Sequence, residues 1–135
     1  MAGIIRSYRD LVVWQKGVEL AVRLYSVTRR FPAHERFGLS SQIQRAAVSI
    51  SANIAEGNSK SGKGHYLNHL SDATGSLSEL ETLLLISHRV GYLTAASDHA
   101  LMALTDEVGR MLNSLTRSVA RSCEGASRPH LGPRI

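Results

Sequence analysis

The residues whose types and spacing could do chemistry lie in one stretch, RAAVSISANIAEG at 45–57. A cation, a hydroxyl, an amide and a carboxylate follow one another there by four, four and three residues, which places them on one helical face. They are Arg45, Ser49, Asn53 and Glu56. Catalysis would need a nucleophile beside a base, or a second carboxylate, and Glu56 has no such mate on its helix. The sequence therefore favours a structural role, a polar stripe that another helix approaches closely because alanines flank it.

The partner predicted for this stripe is the next long helix or a neighbouring subunit, and both alternatives stay open. The stripe is expected to meet Ser76, Glu79 and Thr82. Arg45 and Glu79 would form a charge pair, and Asn53 would bond to a helix backbone or a hydroxyl. A buried polar group without a partner costs about 1–3 kcal/mol, so such pairs set the register of the helices. The candidate interface residues are Arg45, Ser49, Asn53, Glu56, Gly57, Ser76 and Glu79.

A second group with possible chemistry is His65, His69 and Asp72, spaced as i, i+4 and i+7. One helical face would then carry three nitrogen and oxygen ligands of the kind that zinc binds. The group lacks the HExxH motif, and packed or surface histidines explain it more simply. We predict no metal, no cofactor and no catalytic residues. A metal-dependent enzyme is a weaker hypothesis, which a preparation without bound zinc would exclude.

The segment GNSKSGKG at 57–64 has the glycines and lysines of a phosphate-binding loop. It follows a predicted helix rather than a strand and lacks the spacing GxxxxGK[ST]. We interpret it as a flexible loop between helices, whose Lys60 and Lys63 are available for phosphate contacts.

Basic residues are concentrated in the first part of the chain. The formal net charge is +5, and residues 1–60 carry nine Arg or Lys against four Asp or Glu. Such an excess is typical of proteins that contact phosphates or acidic partners, although a solvated charged surface is the simpler alternative. No aromatic platform is expected beside the arginines, so sequence-specific reading of bases is not predicted. The candidate nucleic-acid-binding residues are Arg6, Arg9, Lys16, Arg23, Arg29, Arg30, Arg36, Lys60, Lys63, Arg110, Arg117 and Arg121.

Apolar residues that recur every three or four positions predict four helices. The predicted ranges are 10–28, 39–58, 65–90 and 97–121. In the first helix the apolar stripe is Leu11, Trp14, Val18, Ala21 and Tyr25. Ser7 and Asp10 are spaced as a capping box at its start, or Asp10 itself caps the helix. Short connections between four amphipathic helices predict an all-α, antiparallel up-down-up-down four-helix bundle. The predicted organisation is an N-terminal arm at 1–9, the bundle at 10–121 and a disordered tail at 122–135.

Length and composition agree with one small helical domain. The chain has 135 residues, of which 5% are aromatic, and its three prolines leave 33–128 unbroken. The single cysteine, Cys123, excludes an internal disulfide framework and a zinc site built from cysteines. The start, MAGIIRSYRD, has no apolar run long enough for a signal peptide. The longest apolar run, LLLI at 83–86, is too short to span a membrane. We therefore expect a cytoplasmic protein.

Three segments carry a resemblance to a known family. DLVVWQKG (10–17), FPAHERFGLSSQIQRAAVSISANIAEG (31–57) and GSLSELETLLLISHRVGYL (75–93) resemble the bacterial four-helix bundle proteins of 23S rRNA intervening sequences, also called the S23 ribosomal protein family. The resemblance implies a four-helix bundle without catalytic activity. A relative in fold is the accessory variability protein of diversity-generating retroelements, a ring-shaped homopentamer that binds nucleic acid and a reverse transcriptase. The resemblance thus implies a homo-oligomer, pentameric if it follows that relative.

The start of the third helix departs from the family pattern. Members usually have a Glu-aromatic pair, an Arg and a Phe-Leu pair where this chain has His65-Tyr66, Asn68 and His69-Leu70. Asp72 stands at a usually apolar place. The missing basic groups weaken an RNA-binding role for this face.

Two functional hypotheses follow. The first is a non-enzymatic helical assembly protein that binds RNA or another nucleic acid through backbone phosphates, on basic patches that an oligomer repeats. The alternative is a protein-interaction adaptor that docks a partner such as a reverse transcriptase and has no direct role in nucleic-acid binding.

Overall fold

The computed structural model of the chain describes residues 6–59 and 62–131, with side chains as far as Ser122. Every regular element in those residues is helical, and no strand is present among them. The α-helices are α1 (Val12–Thr28), α2 (Leu39–Ser59), α3 (Lys63–Arg89) and α4 (Ala95–Leu131). Two 3-10 turns, Tyr8–Asp10 and Ala33–Glu35, precede α1 and α2. The predicted all-α class with four helices is therefore confirmed.

The predicted capping box exists but begins a different element. The Ser7 hydroxyl accepts a hydrogen bond from the Arg9 N–H (3.1 Å), and Asp10 Oδ2 accepts one from the Ser7 N–H (3.3 Å). These bonds begin the 3-10 turn at Tyr8–Asp10, whereas α1 starts after Leu11 without a side-chain cap. Part of the predicted arm at 1–9 therefore has regular structure, and residues 1–5 lie outside the described chain.

Helix α4 differs from its predicted range, since it continues past Arg121 to Leu131. Residues 122–128 include no proline, and adding a residue to an existing helix gains a hydrogen bond without a new nucleation cost. Residues 122–131 are thus helical where the sequence predicts an irregular tail. The remainder of that tail, 132–135, lies outside the described residues.

Helix α3 ends at Arg89, and Gly91 shapes the turn that follows it. Gly91 has a φ of 91°, a left-handed conformation that favours glycine. The Gly91 N–H donates to the His88 carbonyl (3.0 Å) and the Tyr92 N–H to the Ser87 carbonyl (2.9 Å). This pair of bonds is a Schellman motif, and it fixes the direction in which the chain leaves α3.

The core lies between the four helices. Helix α2 packs against α1 and α3, and α4 packs against α1 and α3. Largely buried apolar side chains from all four helices fill the space between them: Leu20, Leu24, Ile43, Ile50, Ile54, Leu70, Leu80, Leu84, Val108 and Leu112. In the chain that the structure describes, no helix has the length and apolar character needed to cross a membrane.

The buried face of α1 is not the predicted one. Val13, Gly17, Leu20, Leu24 and Thr28 face the core, whereas the predicted stripe from Leu11 to Tyr25 is half-buried or exposed. Helix α1 carries two adjacent apolar stripes, and periodicity alone does not select the one that is buried. The other stripe is left beside α2.

Candidate functional site

A hydrogen-bonded network joins α2 and α3 at the polar stripe; we call it the α2–α3 seam. The Ser76 hydroxyl donates to Ser49 Oγ (2.8 Å) across the two helices. The Asn53 amide donates to the Ser49 carbonyl (2.9 Å) and to Ser49 Oγ (3.1 Å). Asn53 Oδ1 lies 2.9 Å from His69 Nδ1, and because that oxygen only accepts, the proton is on Nδ1. Ser49, Asn53, His69 and Ser76 therefore bind one another within the chain.

Gly57 at the end of the seam allows the two helices to approach closely. A methyl group added to Gly57 would lie 2.8 Å from His69 Cβ and 3.1 Å from Tyr66 Cδ1. One residue further on, the Asn58 amide donates to the Tyr66 hydroxyl (3.1 Å). Gly57 is thus required by the contact of α2 with α3.

The predicted charge pair of the stripe is absent, and that prediction is wrong. Arg45 and Glu79 are both exposed, and no ion pair within 4.0 Å joins them in the described chain. An exposed pair gains little energy in water, so nothing draws these long side chains together. The Thr82 hydroxyl donates to the Ser78 carbonyl of its own helix (2.9 Å), and Glu56 is exposed on α2.

The histidine group does not converge on one point. His69 Nδ1 is engaged by Asn53, while His65 and Asp72 are exposed. Among the residues with described side chains, no group of three or more His, Cys, Asp or Glu is arranged to hold a metal ion. Of these three residues, only His69 belongs to the seam.

Several of the candidate cations have partners of their own. Arg23 Nη2 lies 2.7 Å from Glu19 Oε2, and Lys16 Nζ lies 3.7 Å from Glu107 Oε1. Lys63 donates to the Ser122 hydroxyl (3.1 Å). Arg6, Arg9, Arg110, Arg117 and Arg121 are exposed. Lys60 lies outside the described residues.

Arg29 and Arg36 differ, because both line one concave site of about 460 Å³ where α1 connects to α2. We call it the connection cleft. Arg30 belongs to the same connection and is exposed, but it does not line the cleft. The residues that define the cleft here are Thr28, Arg29, Arg36, Phe37, Ser40 and Gln44. The structure therefore brings together two of the three arginines that the sequence groups in this connection.

The Glu35 carboxylate is next to Arg36 in the sequence, but it forms its hydrogen bonds with groups other than the two arginines. Glu35 Oε1 accepts from the Leu39 N–H (3.1 Å) and Oε2 from the Tyr92 hydroxyl (2.9 Å). The Leu39 N–H, and after it the Tyr92 hydroxyl, hold the pKa of the Glu35 carboxyl below its ordinary value of 4.5. The hydrogen bond between Tyr92 and Glu35 also raises the pKa of the Tyr92 hydroxyl. Within the described chain no ion pair includes Arg29 or Arg36, so the cleft keeps its positive charge.

Polar side chains also line the cleft, and one of them has no hydrogen-bond partner in the described chain. Gln44 donates to Thr28 Oγ1 (3.0 Å), and the Thr28 hydroxyl donates to the Leu24 carbonyl (2.8 Å). Ser40 is 6% exposed, and its hydroxyl forms no hydrogen bond within the described chain. Ser40 lies in the first turn of α2, which has no acidic residue and whose N–H groups carry the positive end of the helix dipole.

The structure also reveals an aromatic residue that sequence reasoning overlooked. Phe37 is 88% exposed, and the Arg36 guanidinium carbon lies 5.3 Å from the centre of its ring. The expectation that no aromatic platform accompanies the arginines is therefore wrong at this position. The available signal was that Phe37 stands next to Arg36 and outside the apolar period of α2.

A second concave surface, the α1–α2 groove, has a volume of about 460 Å³. It is lined chiefly by Trp14, Val18 and Ala21 of α1 and by Val48, Ala52 and Ala55 of α2. Val22, at 64% exposure, also borders it. Four residues of the stripe predicted as the core face of α1 thus form an open apolar surface, which includes Tyr25.

The helices approach closely beneath this groove. A methyl group added to Gly17 would lie 2.5 Å from Ser51 Oγ. The Ser51 hydroxyl is buried and has no hydrogen-bond partner in the described chain. It packs against the glycine, and the contact has a structural role.

Comparisons with known proteins agree with this fold. The family model described as 23S rRNA-intervening sequence protein matches residues 9–114. The chain is also similar to a crystal structure from Bacteroides thetaiotaomicron, described as a protein with unknown function from the S23 ribosomal protein family. The two share 28% sequence identity with a TM-score of 0.73, over 78% of this chain and 96% of the other. No curated protein sequence matches significantly.

Proposed function

Since the chain belongs to the 23S rRNA-intervening sequence protein family, we propose that it is a non-enzymatic assembly protein that binds RNA through backbone phosphates. The observation that carries this proposal is the connection cleft, which Arg29 and Arg36 line together with Ser40, whose hydroxyl has no hydrogen-bond partner in the described chain. A guanidinium group can bind a phosphate through two parallel hydrogen bonds. A helix N-terminus adds N–H donors and a favourable dipole.

We further propose that the helices alternate in direction and that several copies of the bundle assemble into a ring. Contacts between α1 and α2 support the alternation, because Thr28 bonds to Gln44 while Gly17 packs on Ser51. In the same way, Ser49 bonds to Ser76 and Asn53 to His69, as expected for antiparallel α2 and α3.

The proposed ring and its pentameric number follow the resemblance to the retroelement accessory protein. A ring would repeat the cleft and raise avidity. A cytoplasmic location fits a chain with a single cysteine.

A salt titration tests the RNA proposal. With the two cleft arginines neutralising two phosphates, the slope of about −0.7 per phosphate for single strands predicts a loss of about sevenfold in affinity between about 50 and 200 mM salt. The measurement is fluorescence anisotropy of labelled ribosomal RNA fragments with nuclease-treated protein. Absence of binding at the lower salt would contradict the proposal.

Charge reversal then locates the contact. Arg29→Glu with Arg36→Glu should weaken RNA binding at least tenfold, since both cleft cations are lost. Arg45→Glu with Arg89→Glu is the matched control, because both arginines are exposed away from the cleft and the change in net charge is the same. Equal losses in the two double variants would mean that the cleft has no special role.

The α1–α2 groove favours a second candidate, the adaptor function. Its exposed apolar side chains, such as Val22 and Val48, are of the kind found at protein contacts. Val22→Lys with Val48→Lys tests it by light scattering and by recovery of co-purifying proteins. A lower mass would identify the groove as the contact between subunits. Unchanged mass and RNA affinity, with loss of a bound protein, would support an adaptor.

A further inference from the structure

Phe37 is an exposed aromatic residue that the fold itself does not use. Its ring is 88% exposed, so packing against the core does not explain it. Phe31 of the same connection, by contrast, is buried and packs against Tyr92 with ring centroids 5.2 Å apart. A ligand or partner that covered the exposed part of this ring would gain energy by burying it.

The residues around Phe37 indicate which kind of ligand could cover its ring. Phe37 and Arg36 line the same cleft as Arg29 and Ser40. Ser40 is more than nine-tenths buried, and its hydroxyl has no partner in the described chain. Two guanidinium groups, an unpartnered hydroxyl donor and the first turn of α2 together suit an anion. An aromatic face beside an anion site suits the base attached to a phosphate.

We propose that the connection cleft binds one unpaired nucleotide of an RNA strand, its phosphate held by Arg29, Arg36 and Ser40 and its base stacked on Phe37. This proposal rests on the RNA-binding function proposed above and specifies single-stranded RNA as its target. A base within a duplex is already stacked on its neighbours and does not present its face to a side chain. The Arg36 guanidinium, 5.3 Å from the Phe37 ring centre, adds a cation to the same platform.

The test compares three labelled RNA probes by fluorescence anisotropy. They are a single strand of about ten nucleotides, within the usual range of site sizes, the duplex of that strand, and the same strand with its bases removed. Phe37→Ala should weaken binding of the single strand about tenfold, the order of one base–aromatic stack. Binding of the duplex and of the abasic strand should stay unchanged, and Phe37→Trp should keep wild-type affinity.

The matched control is Val90→Ala. Val90 is an exposed apolar residue (56%) at the end of α3 and does not line the cleft. Its truncation should leave all three affinities unchanged. Free adenosine monophosphate is added as a competitor, since an isolated nucleotide has the same phosphate and base. If adenosine monophosphate displaces the RNA probe at a concentration lower than that of the RNA, the ligand of the cleft is a free nucleotide and the RNA proposal is overturned.

The other outcomes also decide. If single-stranded RNA binds with the predicted salt dependence and Phe37→Ala leaves its affinity unchanged, the stacking proposal falls and the phosphate-binding function stands. If no RNA binds at low salt, both fall. If Phe37→Ala lowers the mass of the protein in light scattering, Phe37 is a contact between subunits, and the stacking proposal is overturned.

Discussion

Helix α2 contributes polar residues to two regions, the α2–α3 seam and the connection cleft. The two regions differ in whether these residues have hydrogen-bond partners within the fold. In the seam, Ser49 and Asn53 are bonded to Ser76 and His69 of the neighbouring helix. At the cleft, Ser40 is only 6% exposed as a residue, yet its hydroxyl has no hydrogen-bond partner in the described chain. A buried polar group whose partner lies in the same fold serves the fold. One that lacks a partner and lies beside two arginines is available to a ligand.

The strongest test of this contrast is Gly57→Leu in the seam. The new side chain would meet His69 Cβ and Tyr66, where even a methyl group would lie 2.8 Å and 3.1 Å from them. Helices α2 and α3 would have to separate, and we expect a loss of about 2–3 kcal/mol in the free energy of unfolding, as for other overpacked contacts. Urea denaturation at fixed protomer concentration measures it.

Gly75→Leu on α3 is the matched control. Gly75 is exposed, and a methyl group there would have no neighbour within 4 Å. Replacing glycine in a helix by a good helix former should raise stability by up to about 1 kcal/mol. Similar losses in both variants would mean that the seam is no tighter than the exposed surface of α3.

Asn53→Leu should have the next largest effect, about 1–2 kcal/mol of destabilisation, because it leaves His69 Nδ1 without its partner and removes one of the two donors to Ser49 Oγ. Asn53 supplies the bonds at 2.9 Å to both residues. The measurement is again urea denaturation, with Asn68→Leu, at an exposed position of α3, as the control. A variant with wild-type stability would refute the structural role of the stripe.

The sequence predicts the helices better than the contacts between them. In α2 only one face is strongly apolar, so the helical period is enough to predict its buried side, which includes Ile43, Ile50 and Ile54. In α1 the period selected the stripe of Trp14 and Tyr25, because a helix with two apolar stripes has no unique answer until its neighbours are placed.

The candidate site was predictable only in part, for a related reason. Arg29, Arg30 and Arg36 are close in sequence, so their grouping was visible. The network of Ser49 with Ser76 could be anticipated from matching helical faces, but the pair of Arg45 with Glu79 could not be judged, because a shared face does not give a distance across helices. The cleft depends on the path between α1 and α2, which periodicity does not describe.

Two serines of α2 provide a smaller and more direct comparison. Ser49→Ala should lose about 1 kcal/mol of stability, since it removes the acceptor of the Ser76 and Asn53 donors. Ser40→Ala should change stability by less than about 0.5 kcal/mol, because its hydroxyl has no partner to lose, and should weaken RNA binding. Thermal unfolding and anisotropy measure the two effects. A large stability loss in Ser40→Ala, with unchanged RNA affinity, would reverse the assignment.

The smallest expected effect is the pH dependence of Glu35, whose carboxylate caps α2 beside the cleft. Its pKa is lowered from 4.5 by the Leu39 N–H and the Tyr92 hydroxyl. A lowered pKa means that the stabilisation is fully present above about pH 4.5 and is lost as the pH falls through the lower value of the folded protein. The difference in melting temperature between wild type and Glu35→Gln should therefore shrink on acidification through that window. A difference that stays constant would mean that these bonds do not hold the ionised form.

The Glu35→Gln variant should leave RNA affinity nearly unchanged, because both oxygens of Glu35 are already engaged. A sharp rise in affinity would instead make Glu35 a counter-charge of the cleft, and the contrast between a satisfied seam and an unsatisfied cleft would lose its basis.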